Sequence, residues 1–120
     1  METAKASMAT VLPIDIEHNA IFQRLPVNQH GYFEEQSVHG FSKIVLTASG
    51  GPFRLLGLDE LEHVTPDQAC AHPNWKMGRK ISVDSATLIN KALELIEASY
   101  LFATPAANSD ILIHPHSIVH

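Results

Sequence analysis

The sequence predicts an α/β (α+β) fold, a layered sheet with helices, because strand-like and helical segments alternate along the chain. The clearest strand is "SKIVLTAS" (42–49), which is β-branched and apolar and ends at a Gly-Gly pair. The strongest helix is "SATLINKALELIEASYLF" (85–102), in which apolar residues recur at helical spacing. The 120 residues are enough for one domain with its own core.

The segments before the clear strand are predicted to alternate in the same way. Residues 2–9 are typical of a helix, "TVLPI" (10–14) of a short strand and "EHNAIFQRL" (17–25) of a second helix. Residues 26–41 form a polar connection that contains one proline and two glycines. This order is consistent with a layered α/β arrangement.

Local signals mark the elements that follow. Thr65 as N-cap and Pro66 at the first helical position predict a helix that runs to residue 72, and Ser85 is expected to be the N-cap of the long helix. A proline and an asparagine then separate that helix from the strand "DILIH" (110–114). Because apolar, strand-like sequence continues to the last residue, we expect the chain to be part of a longer protein.

The composition argues against several classes of partner. The formal net charge is −5 and the densest basic run is the short "KMGRK", so we expect no nucleic-acid partner held by general electrostatics. The apolar runs are far shorter than the roughly 20 residues of a membrane span. The single Cys70 provides neither a disulfide framework nor a cysteine-based zinc site, which favours a reducing compartment.

Two acidic residues in "PIDIEHN" are the first candidates for chemistry. Asp15 and Glu17 stand two apart after a predicted strand, so in extended chain their carboxylates share a face. Such oxygen ligands suit Mg²⁺ or Mn²⁺. The alternative is a helix N-terminus, where acidic residues are favourable without a metal. The neighbouring His18 could be a ligand or a base, although a lone histidine is more often neither.

The end of the clear strand is the second candidate. In "LTASGGPFR", Ser49 and the two glycines after it would expose a hydroxyl and backbone N–H groups at a sheet edge, where α/β proteins usually bind anions. The Gly-Gly-Pro sequence is equally typical of a tight turn with no ligand.

The predicted long helix carries a polar stripe opposite its apolar side. The stripe contains Thr87, Asn90, Lys91, Glu94 and Glu97. Its first members, together with Ser85, offer hydroxyl, amide and ammonium groups that suit a phosphate near a helix start. Glu94 could complete a three-carboxylate metal site. The alternative is a solvated helix face with a weak Lys91–Glu94 pair.

The irregular segment "HPNWKMGRK" is the fourth candidate. It places His72, Trp75 and Met77 directly before the predicted phosphate-binding helix, which suggests a lid that excludes water from a site. The alternative is a structural loop in which Trp75 fills a gap in the core.

The strings "LPIDIEHNAIFQ", "LTASGGPFR", "TPDQACAHPNWKMGRKISVDSATLINKALE" and "ILIHPHSIVH" closely resemble the 1-deoxy-D-xylulose 5-phosphate reductoisomerases, over about residues 10–120. These are longer, homodimeric enzymes that use NADPH and a divalent metal, Mg²⁺ or Mn²⁺. The resemblance implies that residues 1–120 are the central catalytic domain, without the N-terminal NADPH domain and the C-terminal helical domain.

Matched position by position, the resemblance implies a metal site formed by Asp15, Glu17 and Glu94. It also implies catalytic roles for Glu17, Glu94 and His72. In family members the segment that carries the first two metal ligands usually reads Asp-Ser-Glu. This chain has Ile16 in place of the serine. That serine contacts the substrate in the family, so a hydroxyl contact is absent here.

The resemblance further implies a substrate site built from hydroxyl, amide, ammonium, imidazole and carboxylate groups: Glu17, Ser49, His72, Ser85, Asn90, Lys91 and Glu94. The loop that carries His72 would be a flexible lid, with Trp75 and Met77 packed over the substrate and the nicotinamide. Met77 and Gly78 would contact NADPH, the latter through its backbone. His120 matches a histidine near the site.

The implied function is the metal-dependent isomerisation and NADPH-dependent reduction of 1-deoxy-D-xylulose 5-phosphate to 2-C-methyl-D-erythritol 4-phosphate, in the non-mevalonate isoprenoid pathway. If the 120 residues were the whole protein, a non-catalytic phosphosugar- or metal-binding module would be the alternative. A metal-dependent phosphatase is a third hypothesis. We expect the chain alone to be inactive. For the complete enzyme we expect a bacterial cytoplasm in preference to a plastid as a general prior, because any transit peptide would lie outside this chain.

Overall fold

A computed structural model describes residues 1–25 and 41–118. The helices and strands in these ranges are α1 (Glu2–Ala6), α2 (Ile16–Phe22), β1 (Ile44–Ala48), α3 (Pro66–Cys70), α4 (Arg79–Ala86), α5 (Ile89–Leu101) and β2 (Ser109–Ile113). Short 3₁₀ turns lie at Glu60–His63 and Ala106–Asn108. β1 and β2 pair as a small parallel sheet, which confirms the α/β prediction.

Two of the three predicted strands are present. The strands expected at 42–49 and 110–114 are β1 and β2. The strand expected at 10–14 is absent, and that prediction was wrong. Pro13 has no N–H for a sheet, and its carbonyl accepts a hydrogen bond from Asn19 Nδ2 at 3.0 Å instead. The predicted connection 26–41 lies outside the described residues except for its last position.

The early helices form where the sequence places them. The predicted helix 2–9 is shorter and ends as α1, because Met8 adopts a left-handed φ of 53°. The start of α3 at Thr65 is confirmed by a capping box, in which Thr65 Oγ1 accepts from Gln68 N and the Gln68 side chain accepts from Thr65 N.

The predicted helix 85–102 is two helices. Residues before Ser85 already form α4, whose polar sequence "RKISVDSA" carries little apolar periodicity. Leu88 then takes a left-handed φ of 63°, so the helix is interrupted there and α5 begins at the next residue. Ser85 therefore lies in the last turn of α4, and the prediction that it caps the long helix was wrong.

The described residues form two compact units. In the first (1–25, 41–46 and 94–111), β1 packs on α5 through a cluster of fully or almost fully buried apolar side chains: Ile44, Leu46, Ala98 and Phe102. Ile21 and Phe22 of α2 pack against the same cluster. This core fixes α2, and hence the acidic residues at its start, beside α5.

In the second unit (47–93 and 112–118), α3 packs on α4 with Ala69 and Ala86 buried. Ser82 is buried as well, and its Oγ donates to the Gly78 carbonyl at 3.0 Å. In the described part of the chain, no helix has both the length and the apolar character to cross a membrane.

Candidate functional site

The start of α2 positions the first two acidic residues. Asp15 is the N-cap of α2, with φ −66° and ψ 143°, and its Oδ1 accepts from Ile16 N at 2.7 Å. Glu17 follows in the first turn and is half-buried. The helix-start alternative is thus part of the observed structure, and it also brings both carboxylates to the same end of α2.

A buried histidine connects α2 to α5. His18 is fully buried, and its Nε2 lies 2.9 Å from the main-chain carbonyl oxygen of Glu94. A carbonyl oxygen only accepts, so Nε2 carries the hydrogen. The imidazole also stacks on Phe102, with ring centroids 6.3 Å apart and planes inclined by 20°. These contacts hold the Glu94 backbone beside the two acidic residues.

Three carboxylates meet in the first unit. Oxygen atoms of Asp15, Glu17 and Glu94 lie within 4.8 Å of one another, and Glu94 is only 5% exposed. Three like charges at this spacing, one of them buried, repel unless a cation or protons compensate. An all-oxygen donor set suits Mg²⁺ or Mn²⁺. The residues present therefore fit a divalent hard cation.

A second set of possible ligands overlaps the first. Ligand atoms of Asp15, His18 and Glu97 also lie within 4.8 Å of one another. The sequence analysis named His18 as a candidate but placed Glu97 only in the polar stripe. The i,i+3 spacing of Glu94 and Glu97 on one helix was the signal that both side chains point to the same side.

In the second unit, the turn after β1 lies against the end of α4. Gly50 has a φ of 81°, which favours glycine. A Cβ on Gly51 would lie 2.7 Å from Ala86 Cα and would clash with the Ser85 carbonyl oxygen. The motif therefore forms a tight turn, as the alternative interpretation predicted. The buried Ser49 lies two residues before Gly51, the residue that contacts Ser85.

The remaining predicted phosphate ligands lie at the start of α5. Asn90 is half-buried, and Lys91 is only 6% exposed. The polar stripe is therefore buried at Lys91 and Glu94 and exposed at Thr87 and Glu97, whereas Ile89 and Ile96 on the apolar side are 54% and 55% exposed. Charged side chains are rarely this buried, so the burial of Lys91 is a feature that its place in the sequence pattern did not predict.

The loop before α4 is organised by His72. Its Nδ1 accepts hydrogen bonds from the backbone N–H groups of Asn74 and Trp75, at 3.2 and 3.1 Å. Burial and, secondly, the positive charge of Arg54 lower the pKa of His72. The neutral ring therefore carries its hydrogen on Nε2, which can donate to a ligand. Asn74 Nδ2 also donates to the Pro115 carbonyl at 2.9 Å.

The predicted lid residues are partly exposed. Trp75 is 44% exposed and Met77 is half-buried, so Trp75 does not fill a gap in a core. Gly78 has an ordinary φ of −59° and an added Cβ would meet nothing within 4 Å. Nothing in the described chain requires glycine there. His120 lies outside the described residues.

Comparison with known proteins identifies the family. Residues 11–102 match the family model for the 1-deoxy-D-xylulose 5-phosphate reductoisomerase C-terminal domain. The chain belongs to this family. The reductoisomerase of Ralstonia pickettii is 61% identical over 122 residues, and that of Colwellia psychrerythraea is 58% identical over 122 residues. The alignments cover 100% of this chain but only 29% and 30% of those reductoisomerases.

Solved reductoisomerase structures have the same fold. A crystal structure of DOX-P reductoisomerase in complex with NADPH, fosmidomycin and magnesium superposes with a TM-score of 0.84 at 46% identity, over 99% of this chain and 30% of that one. The enzyme from Zymomonas mobilis in complex with NADPH gives a TM-score of 0.77 at 45% identity, over 99% of this chain and 28% of that one. The chain thus corresponds to rather less than a third of these reductoisomerases.

Proposed function

We propose that this chain is the metal- and substrate-binding part of an enzyme that converts 1-deoxy-D-xylulose 5-phosphate to 2-C-methyl-D-erythritol 4-phosphate with NADPH. The observation that carries the proposal is the cluster of Asp15, Glu17 and Glu94 in a member of this family. A related structure holds NADPH, fosmidomycin and magnesium together, which supports the same cofactors here.

The three carboxylates are the proposed metal ligands. Glu94 is buried and its backbone is fixed by His18, so its carboxylate is held ready before any ion binds. A bound Mg²⁺ or Mn²⁺ would supply Lewis-acid stabilisation of negative charge that develops on substrate oxygens. Glu17 and Glu94 would also face the reacting part of the substrate. Ile16 is exposed beside them and offers it no hydroxyl.

The second unit carries the proposed phosphate and lid residues. Ser49, Ser85, Asn90 and Lys91 would bind the phosphate, with the buried ammonium as the main charge partner. That binding energy is remote from the reacting carbons and would serve to orient them. His72 would donate from Nε2 to the substrate, while Trp75 and Met77 would cover it and exclude water.

NADPH would supply the hydride that reduces the rearranged aldehyde. Its main binding domain is proposed to lie N-terminal to this chain, with a helical domain C-terminal to it. Gly78 and Met77 would approach the cofactor, and the open space around Gly78 supports this. Membership of the family supports a homodimer and a location in the bacterial cytoplasm. Exposed apolar side chains such as Leu55 and Leu58 also support the homodimer, because a longer protein or a second copy would cover them.

Replacement of Glu94 in the full-length protein tests the proposal. Glu94→Gln keeps the size of the side chain but removes one charge from the metal site. We expect Mg²⁺-dependent NADPH oxidation with 1-deoxy-D-xylulose 5-phosphate to be lost, with an unchanged circular-dichroism spectrum. The exposed Glu62→Gln is the matched control. Unchanged turnover and Mg²⁺ affinity in Glu94→Gln would contradict the metal assignment. Metal or phosphosugar binding by the full-length protein without NADPH oxidation would favour the module instead.

A further inference from the structure

One ring nitrogen in the first unit is buried without a partner. His18 is fully buried and its Nδ1 makes no hydrogen bond, although its Nε2 lies 2.9 Å from the Glu94 carbonyl oxygen. With the hydrogen on Nε2, the neutral tautomer of this imidazole presents a lone pair at Nδ1. Buried polar atoms in folded proteins are nearly always satisfied, so this atom requires an explanation.

The groups that face Nδ1 are anionic. Asp15 Oδ2 lies 3.6 Å from it, too far for a hydrogen bond, and the other oxygen of Asp15 is already engaged with Ile16 N. Glu97 is the third residue of this group, since one of its carboxylate oxygens, one of Asp15 and a ring nitrogen of His18 all lie within 4.8 Å of one another. Two carboxylates and a lone pair converge, so the species that would satisfy them carries positive charge.

The distances suit a metal ion. Two ligand atoms at about 2.0–2.1 Å from a tetrahedral ion lie about 3.4 Å apart. The observed separation of 3.6 Å between Nδ1 and Oδ2 is close to that value. Ligating histidines almost always donate their other N–H to a carbonyl or carboxylate, and the His18 Nε2 hydrogen bond to Glu94 matches this pattern. Asp15 and Glu97 are exposed, which gives an ion a path from solvent.

We propose that Asp15, His18 and Glu97 form a second cation site, which binds a transition-metal ion of the Zn²⁺ and Co²⁺ type through His18 Nδ1. The site is distinct from the three-carboxylate cluster, because imidazole nitrogen selects these ions whereas an all-oxygen set suits Mg²⁺ or Mn²⁺. The two sites share Asp15 and are therefore adjacent. An ion at the second site would fix the Asp15 carboxylate from the side opposite its helix-cap hydrogen bond.

Co²⁺ titration of the metal-free, full-length protein tests this inference. The readouts are visible absorption for affinity and X-ray absorption fine structure for imidazole scattering around the ion. Glu17→Gln weakens the three-carboxylate cluster and leaves the second site intact, so this variant should retain imidazole-ligated Co²⁺. Glu97→Gln should lower the Co²⁺ affinity of that site by about 10–100-fold or more. Loss of a residue that only hydrogen-bonds to a ligand already has an effect of that size, and Glu97 is a proposed ligand itself. Glu62→Gln should change nothing.

Two results would overturn the proposal. One is a Glu17→Gln protein that binds Co²⁺ without imidazole scattering, and the other is a Glu97→Gln protein that keeps the wild-type imidazole signal and affinity. His18→Asn should abolish the signal, and if that variant does not fold, the Glu97 comparison decides. Turnover with Mg²⁺ is measured separately. A Glu17→Gln enzyme with normal turnover would contradict the proposed catalytic metal site and leave this second site standing.

Discussion

Gly51 and Ala86 approach each other so closely that no side chain fits between them. A Cβ on Gly51 would lie 2.7 Å from Ala86 Cα, an atom that cannot move independently of α4. The contact joins the turn after β1 to the C-terminal end of α4. Two proposed phosphate ligands, Ser49 and Ser85, lie within two residues of this contact on either side.

Gly51→Ala should therefore destabilise the protein and displace the turn. Overpacking of this kind costs about 1–3 kcal/mol in the free energy of unfolding. Urea denaturation of the full-length protein measures it, and the KM for the phosphosugar should rise because Ser49 moves relative to Ser85. Gly57→Ala is the control, since a Cβ there would make only ordinary side-chain contacts at 3.5 and 3.6 Å. Equal stability of the two variants would show that α4 adjusts to the added methyl group.

This close approach explains how far the sequence could predict the site. The Ser-Gly-Gly motif predicted a turn at the end of β1, because turn chemistry is local. It could not show that the second glycine is required by α4, since that contact joins residues far apart in the chain. The proposed metal ligands were easier to find, because Asp15 and Glu17 are two residues apart and the resemblance pointed to Glu94.

The helices show where pattern reading fails. The apolar period of 85–102 predicted one helix, but a left-handed Leu88 divides it, and no glycine or asparagine marks that position. The polar stripe contains the buried residues Lys91 and Glu94, whereas Ile89 and Ile96 are exposed. Sequence periodicity assumes that polar residues face water. Lys91 and Glu94 depart from that assumption, as side chains of the proposed substrate and metal site would.

Phe102 is expected to control the metal site through His18. Its ring is fully buried and stacks on the imidazole that fixes the Glu94 backbone. Phe102→Ala should cost about 3–5 kcal/mol in the free energy of unfolding. Where the variant still folds, Mg²⁺ affinity should fall as well, measured by calorimetric titration. Tyr100→Ala removes an exposed ring from the last turn of α5, two residues before Phe102, and should change neither quantity. If Phe102→Ala is less stable but binds Mg²⁺ with unchanged affinity, packing on His18 does not influence the proposed metal site.

Lys91→Met should weaken substrate binding without unfolding the protein. Methionine fills the buried volume of the lysine stem but carries no charge. Hydrogen bonds to charged groups contribute about 1.5–3 kcal/mol, so the KM for 1-deoxy-D-xylulose 5-phosphate should rise by roughly 10–100-fold, with a smaller change in kcat. The exposed Lys80→Met is the control. With 1-deoxy-D-xylulose, which lacks the phosphate, wild type and Lys91→Met should bind alike. A persistent difference would place the lysine elsewhere than at the phosphate.

His72 should make the loop before α4 sensitive to acid. Its Nδ1 accepts from two backbone N–H groups, and a protonated nitrogen cannot accept. The pKa of His72 is lowered in the folded protein, first by burial and then by Arg54, so the unfolded chain binds the proton more tightly. The stabilisation is therefore fully present above the pKa of an unfolded histidine, and it is lost as the pH falls towards the lower folded value.

Arg54→Gln tests that account of the loop. Removing the positive charge should raise the pKa of His72, measured from the pH dependence of its C2–H resonance in the full-length protein. Arg54→Lys keeps the charge and should leave the pKa low. The loop turn should open at a higher pH in Arg54→Gln, seen as a change in Trp75 fluorescence that follows the histidine titration. If the resonance titrates identically in all three proteins, burial alone lowers the pKa, and Arg54 has no part in holding the imidazole neutral for hydrogen-bond donation from Nε2.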